Sequence, residues 1–268
     1  MVLPVYNNFK TILKYWKSYF FPAKKKILSN YLKKHHLKIK KDGYTVIESD
    51  FTLQNDSIKN LVKICNKKKK EILKKISVEI KKNKRKDYFF SVTDLFPDKY
   101  LYQLAYSSFI FDVVNNVFNF TPNVRYISVW CNFSNNKKEV IETQIFHRDS
   151  DDTNLLKAFV YLNDVNENNG PFAFIQGTHR KFRSLFFWWF LKLFRLRDRS
   201  ASLSDSSVRK YFNKNRIKTI VGKAGSCILA DTNGLHKGTK PKIGYRILVN
   251  IIYTSSKPLV KELDKIIN

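Results

Sequence analysis

Cysteine, negative charge and long apolar runs are all in short supply in this sequence, and each shortage narrows the class of protein. The three cysteines among 268 residues, Cys65, Cys131 and Cys227, stand far apart and form no CxxC pair. They offer no disulfide framework, which favours a reducing compartment. The longest wholly apolar run, Leu185 to Leu191, has seven residues, against the roughly 20 that span a bilayer. Near the N-terminus Lys10, Lys14 and Lys17 interrupt the continuous apolar core that a secretory signal needs. The expected location is the cytoplasm, with peripheral attachment to a membrane as the variant. Acidic residues number 22 against 50 lysines and arginines, a net charge of +28. That excess suits the phosphates of nucleic acid or of an anionic membrane. It equally suits a chain in which Lys, Asn, Ile, Phe and Tyr are abundant together, so charge alone decides nothing. No internal repeat is present.

What the chain does have is 43% hydrophobic and 15% aromatic residues, the composition of a folded protein with one substantial core. Residues 9–20, "FKTILKYWKSYF", put Phe9, Ile12, Leu13, Trp16, Tyr19 and Phe20 on one helical face with three lysines on its flank. Such a helix either lies in a membrane interface or packs on the main domain. This gives a basic amphipathic extension over 1–38, a main domain over 39–256 and a tail over 257–268. Within the main domain "KKDGYTVIES" reads as a turn and a short strand, and 57–82 as one helix. From about residue 124 short runs rich in β-branched and aromatic residues follow one another: "VRYISVWCNF", "EVIETQIF", "LLKAFVYL", "PFAFIQ", "SCILAD" and "YRILVNIIYT". Strands in series without intervening helices predict an antiparallel sandwich or barrel. A variable, irregular insertion near 181–218 interrupts them.

The segment "TQIFHRDSDD" sets His147 and Asp149 two apart after an apolar run. On an extended chain both side chains leave one face, but a charged turn has the same composition. A second histidine, His236, follows the strand in "AGSCILADTNGLHKG", and Arg246 stands ten residues later in "GYRILVN". Two imidazoles and one carboxylate form the facial triad of non-haem Fe(II) oxygenases, which leaves positions free for other ligands. A guanidinium fork suits the distal carboxylate of 2-oxoglutarate, and without an anion a buried arginine is costly.

The runs "FHRDSDDTNLLKAFVYLNDVNENNGPFAFIQGTHR", "GSCILADTNGLHKG" and "GYRILVNIIY" resemble the phytanoyl-CoA dioxygenase family of Fe(II)/2-oxoglutarate oxygenases. The likeness is strong over 144–180 and 222–253 and negligible before 39 and within 181–218. It implies a mainly β fold with surrounding helices, a double-stranded β-helix or jelly roll. It implies that His147, Asp149 and His236 hold Fe(II) and that Arg246 anchors 2-oxoglutarate as cosubstrate, with O2 as oxidant and ascorbate as an optional reductant. The implied reaction hydroxylates a small-molecule or lipid-like substrate and releases succinate and CO2. Asp149 fills the position that related halogenases leave open for halide.

In "LLKAFVYL" Lys157, Phe159 and Tyr161 share one strand face, so an inward Lys157 is expected beside the 2-oxoglutarate carboxylates. His179 in "QGTHR" is expected to support a turn or the ligands, and His35 and His36, among lysines, to be solvated. The rival functions are a nucleic-acid-directed oxygenase and a non-catalytic jelly-roll binder. Repair demethylases of the superfamily carry a second arginine six positions beyond the anchoring one, where this chain has Ile252, so nucleic acid is disfavoured as partner. The sequence leaves the oligomeric state open. After "GTHR" comes "LFFWWFLKLF" (185–194), flanked by Arg183, Arg195, Arg197 and Arg199. It reads as a lid for a lipid-like substrate or an anionic membrane, or as a packing surface.

Overall fold

The computed structural model describes residues 26–83, 89–134, 142–149, 152, 154–179 and 202–255. Its first helix, α1 (Asn30–Asp42), starts where the Ser29 hydroxyl accepts the Leu32 N–H, and it buries Leu32, His35, Ile39 and Asp42 at helical spacing. Gly43 ends it in the left-handed region at φ +92°, returning its N–H to the Ile39 carbonyl. A Cβ there would meet the His179 and Phe174 side chains within 2.8 Å, so position 43 requires glycine twice over.

The chain enters β1 (Tyr44–Ile47), a single helical turn α2 (Ser49–Thr52), and the helices α3 (Asp56–Lys67) and α4 (Lys69–Asn83). After β2 (Phe89–Ser91) come α5 (Asp98–Ala105), α6 (Ser108–Phe118) and the long strand β3 (Asn123–Phe133). The short β4 (Phe146–His147), β5 (Leu155–Tyr161) and β6 (Phe172–Ile175) follow. Next are β7 (Ser202–Leu203), α7 (Asp205–Tyr211), β8 (Ile217–Ile220), β9 (Cys227–Ala230), β10 (His236–Gly238) and β11 (Tyr245–Thr254).

These strands form two antiparallel sheets, in the orders β1-β9-β5-β11-β3-β2 and β7-β4-β10-β6-β8. Helices cover one face of the larger sheet. There Val129, Cys131, Ala158, Val160, Ile247, Val249 and Ile251 pack on Leu61, Leu104, Ile110 and Val113 in the main apolar cluster. The opposite parity of the same strands supplies Trp130, Phe159, Tyr161, Ile228 and Leu248, which meet Phe172 and Phe174 of the smaller sheet. Alternation thus assigns each strand of the larger sheet one face to the helices and one to the space between the sheets. The architecture is the expected one, mainly β with outer helices, a jelly roll.

Several local expectations are corrected. The helix expected over 57–82 is two, broken at Lys68. Its buried residues Ile58, Leu61 and Cys65, then Ile72 and Ile76, nearly keep one helical phase across the break, so periodicity hides it. "EVIETQIF" is not a continuous strand, because Glu142–Gln144 is a 3-10 turn leading into the two residues of β4. Of the stretch read as an irregular insertion, the described part from 202 onward is regular: β7 pairs with β4, and β8 with β6. His35 is buried, not solvated, with Nδ1 2.8 Å from the Thr45 hydroxyl, and His36 is half-buried. The amphipathic stretch 9–20 and the apolar run 185–194 lie outside the described residues.

Candidate metal centre

Two short strands of the smaller sheet bring the histidines together. β4 and β10 pair with His147 opposite His236, and the two imidazole centroids are 4.3 Å apart. Asp149 is not on the strand; the chain leaves β4 after His147, and the Asp149 N–H donates to the Thr232 carbonyl at 3.0 Å. Between them the Arg148 Nε donates to the Asn233 carbonyl, so both backbone and side chain fasten this loop to the turn that carries His236. The three donor groups lie within 4.8 Å of one another. His147 Nε2 is 3.8 Å from Asp149 Oδ1, and His236 Nε2 is 3.5 Å from Asp149 Oδ2.

The donor set fits a divalent metal in chemistry as well as position. Each imidazole has its Nδ1 against a backbone carbonyl, Ile145 at 2.8 Å for His147 and Gly234 at 3.0 Å for His236. A carbonyl can only accept, so Nδ1 carries the proton and Nε2 presents its lone pair towards the carboxylate. Burial pushes the His236 pKa down to about 3, keeping the ring in its ligating, neutral form. At Asp149 burial alone would raise the pKa, but the Lys157 ammonium 2.7 Å away holds it well below the usual carboxylate range. The result is a neutral imidazole at His236 beside an ionised carboxylate at Asp149.

Lys157 lies at the metal end, beside Asp149. Its Nζ is 2.7 Å from Asp149 Oδ2. Its register partner on β11 is Ile252, six residues from Arg246. Arg246 itself is buried, donating from Nη1 to the Gly170 carbonyl and from Nη2 to Asn132 Oδ1 at 3.2 Å. Burial pushes its pKa down, while Tyr161 nearby favours the charge. Among the described residues no carboxylate pairs with it, and its Nε has no hydrogen-bond partner. The guanidinium lies over Gly238: a Cβ at 238 would come within 2.7 Å of Arg246 Nη2. Gly238 and His236 are same-face neighbours on β10, roughly 7 Å apart along a strand. A buried, un-neutralised cation therefore stands about one small-molecule length from the histidine pair.

His179, in the turn after β6, is not drawn into the triad; its Nε2 lies 3.2 Å from the Lys40 carbonyl and ties that turn to α1. Sequence reasoning missed Asn132, the side-chain partner of Arg246, and Gly238, whose missing side chain makes room for the guanidinium. The Lys237 ammonium, bound to Asp205 at 2.6 Å, was also missed. Only register across separated strands reveals them.

No protein-family model matches the sequence, and no curated protein matches it. Solved structures do match in fold. The epimerase SnoN in complex with Fe3+, alpha ketoglutarate and nogalamycin RO aligns at 15% identity with TM-score 0.51, over 84% of this chain and 83% of that one. HygX from Streptomyces hygroscopicus with nickel and 2-oxoglutarate aligns at 14% and 0.52, over 87% and 88%. EctD from S. alaskensis with 2-oxoglutarate and 5-hydroxyectoine aligns at 17% and 0.52, over 86% and 79%. At such identities the likeness is one of fold, and the chain has the fold of these proteins.

Proposed function

We propose that this protein is an Fe(II)- and 2-oxoglutarate-dependent oxygenase that hydroxylates a small molecule. The observation that carries the reading is the pairing of a His-Asp-His donor set with a buried guanidinium that has no carboxylate partner among the described residues. His147, Asp149 and His236 would hold the metal, and Arg246 would take the far carboxylate of 2-oxoglutarate. A buried cation is costly until an anion meets it, and a diacid supplies that anion while its other end reaches the metal. Similar folds are recorded with Fe3+, nickel and 2-oxoglutarate bound. When bound, the metal supplies Lewis acidity and activation of O2, coupling decarboxylation of the keto acid to C–H hydroxylation.

The chain's own residues orient and exclude. The carbonyls of Ile145 and Gly234 fix the imidazole tautomers. Lys157 holds one Asp149 oxygen, restricting how the carboxylate swings. The Phe159 and Phe172 rings, with centroids 4.8 Å apart, wall the interior, and Phe172 continues to His236 at 5.7 Å. Such walls keep water from the reacting groups. Lys157 also lends positive charge to the metal end, favouring the keto-acid carboxylate there. We place all of this in the main domain read over 39–256, to which α1 adds Leu32 and His35 from the preceding stretch.

The test is succinate release over a panel of amino acids, sugars, acyl-CoAs and lipids, with Fe(II), ascorbate and 2-oxoglutarate present. Substrate-stimulated succinate in the wild type, lost in His147→Ala, supports the reading. Full turnover by both His147→Ala and Arg246→Ala overturns it.

A further inference from the structure

Buried polar atoms without partners ask for an explanation, because each costs free energy that a folded chain has no reason to spend. Two such atoms oppose each other between the sheets. Ser128 on β3 and Asn250 on β11 are register partners. Ser128 is fully buried, and among the described residues neither its Oγ nor the shielded Asn250 Oδ1 has a hydrogen-bond partner. Strand parity places both on the interior face: Asn250 shares it with Arg246 and Leu248, and Ser128 with Trp130 and Asn132. On its other side Asn250 is opposite Phe159, whose ring reaches Phe172 and through it His236. The pair thus faces the space that the metal ligands face, one same-face step past Leu248 from Arg246.

We infer that Ser128 and Asn250 form the polar subsite for the substrate, and that this substrate presents a hydrogen-bond donor, a hydroxyl or an N–H, not a bare hydrocarbon chain. The inference rests on the oxygenase reading above and narrows its substrate class. The unpartnered atom of Asn250 is an acceptor, and ionised 2-oxoglutarate has only acceptors to offer. The missing group therefore belongs to a different molecule. The Ser128 hydroxyl both donates and accepts, so the two together hold a hydroxyl or an amide with its polarity fixed. Phe159 and Trp130 flank the pair and provide apolar contact for the carbon frame next to that group.

Ser128→Ala and Asn250→Leu each remove the orphan atom at nearly constant volume. In the ligand-free protein both variants melt at or above the wild-type Tm, because a buried unsatisfied group is lost and no bond with it. Metal-loaded Ser128→Ala and Asn250→Leu bind 2-oxoglutarate with unchanged Kd by calorimetry. In the succinate assay amino acids, sugars or polyols stimulate the wild type, and Asn250→Leu raises the KM of the active compound about tenfold. A drop in Tm for both variants makes the pair an ordinary structural contact and overturns the inference without any substrate being known. A weakened 2-oxoglutarate Kd assigns the pair to the cosubstrate and also overturns it. So does equal turnover of a fatty acyl chain by wild type and Asn250→Leu. If metal-loaded wild type binds no 2-oxoglutarate at all, the oxygenase reading itself fails, which is a separate result.

Discussion

Single residues set the chemistry of the candidate site through what they lack as much as through what they touch. Among the described residues Arg246 meets neutral acceptors and no carboxylate, so Arg246→Ala should raise the 2-oxoglutarate Kd by at least ~100-fold while leaving metal affinity nearly intact. Calorimetric titration of the two ligands separately checks this. Asp149→Ala removes the one charged donor, and metal binding should be lost in equilibrium dialysis even where the fold persists. His35 offers a test of stability away from the site. Burial lowers its pKa to about 4, with Lys34 and Lys38 adding to the shift. Because the folded pKa lies below the unfolded 6.5, the unfolded chain takes up a proton first as pH falls. The stability that the neutral ring allows is complete above about 6.5 and is lost between there and about 4. On the order of 2 kcal/mol should disappear from His35 across that window. His35→Gln should flatten the difference between urea midpoints at neutral and mildly acid pH.

At the scale of elements, the site depends on short strands held in register. β4 has two residues and β10 three, and both gain their positions from pairing with longer neighbours and from Arg148 and the Asp149 N–H. Gly238 is the most sensitive point of this arrangement, because any side chain there enters the space of Arg246 Nη2. Gly238→Ala should displace the guanidinium and weaken 2-oxoglutarate binding by about tenfold or more, with a smaller effect on metal affinity. The same two titrations read both. Long elements such as β3, β5 and β11 were legible in the sequence, since β-branched and aromatic runs announce strands. The helices α5 and α6 were not read, and β7, β8 and β10 escaped because strands of two to four polar-containing residues have no measurable period. Lys157 shows the limit of parity: alternation gives only the face it shares with Phe159 and Tyr161, and its meeting with Asp149 depends on the register of β5 against β11.

For the whole molecule the outstanding quantity is the charge of +28. Among the described residues no helix is long and apolar enough to cross a membrane. α1 nevertheless exposes Lys33, Lys34, Leu37, Lys40 and Lys41 along one side. If the lysine excess serves an anionic surface, the protein should float with phosphatidylserine-containing liposomes at low salt and be released at high salt, as screening weakens its attraction. Recovery entirely in the unbound fraction at low salt would show that the excess is compositional.

The amino-acid sequence determined the class of fold and named the candidate donors. Strand-forming runs must pair, imidazoles and carboxylates are the side chains that bind a divalent metal, and a buried arginine needs an anion. Only the tertiary structure decided that His147 and His236 sit opposite one another, that Lys157 answers Asp149, that Gly238 yields space to Arg246, and that Ser128 and Asn250 meet without partners. Those facts rest on distances between residues up to 122 positions apart, which are fixed by sheet register and packing and leave no trace in local pattern.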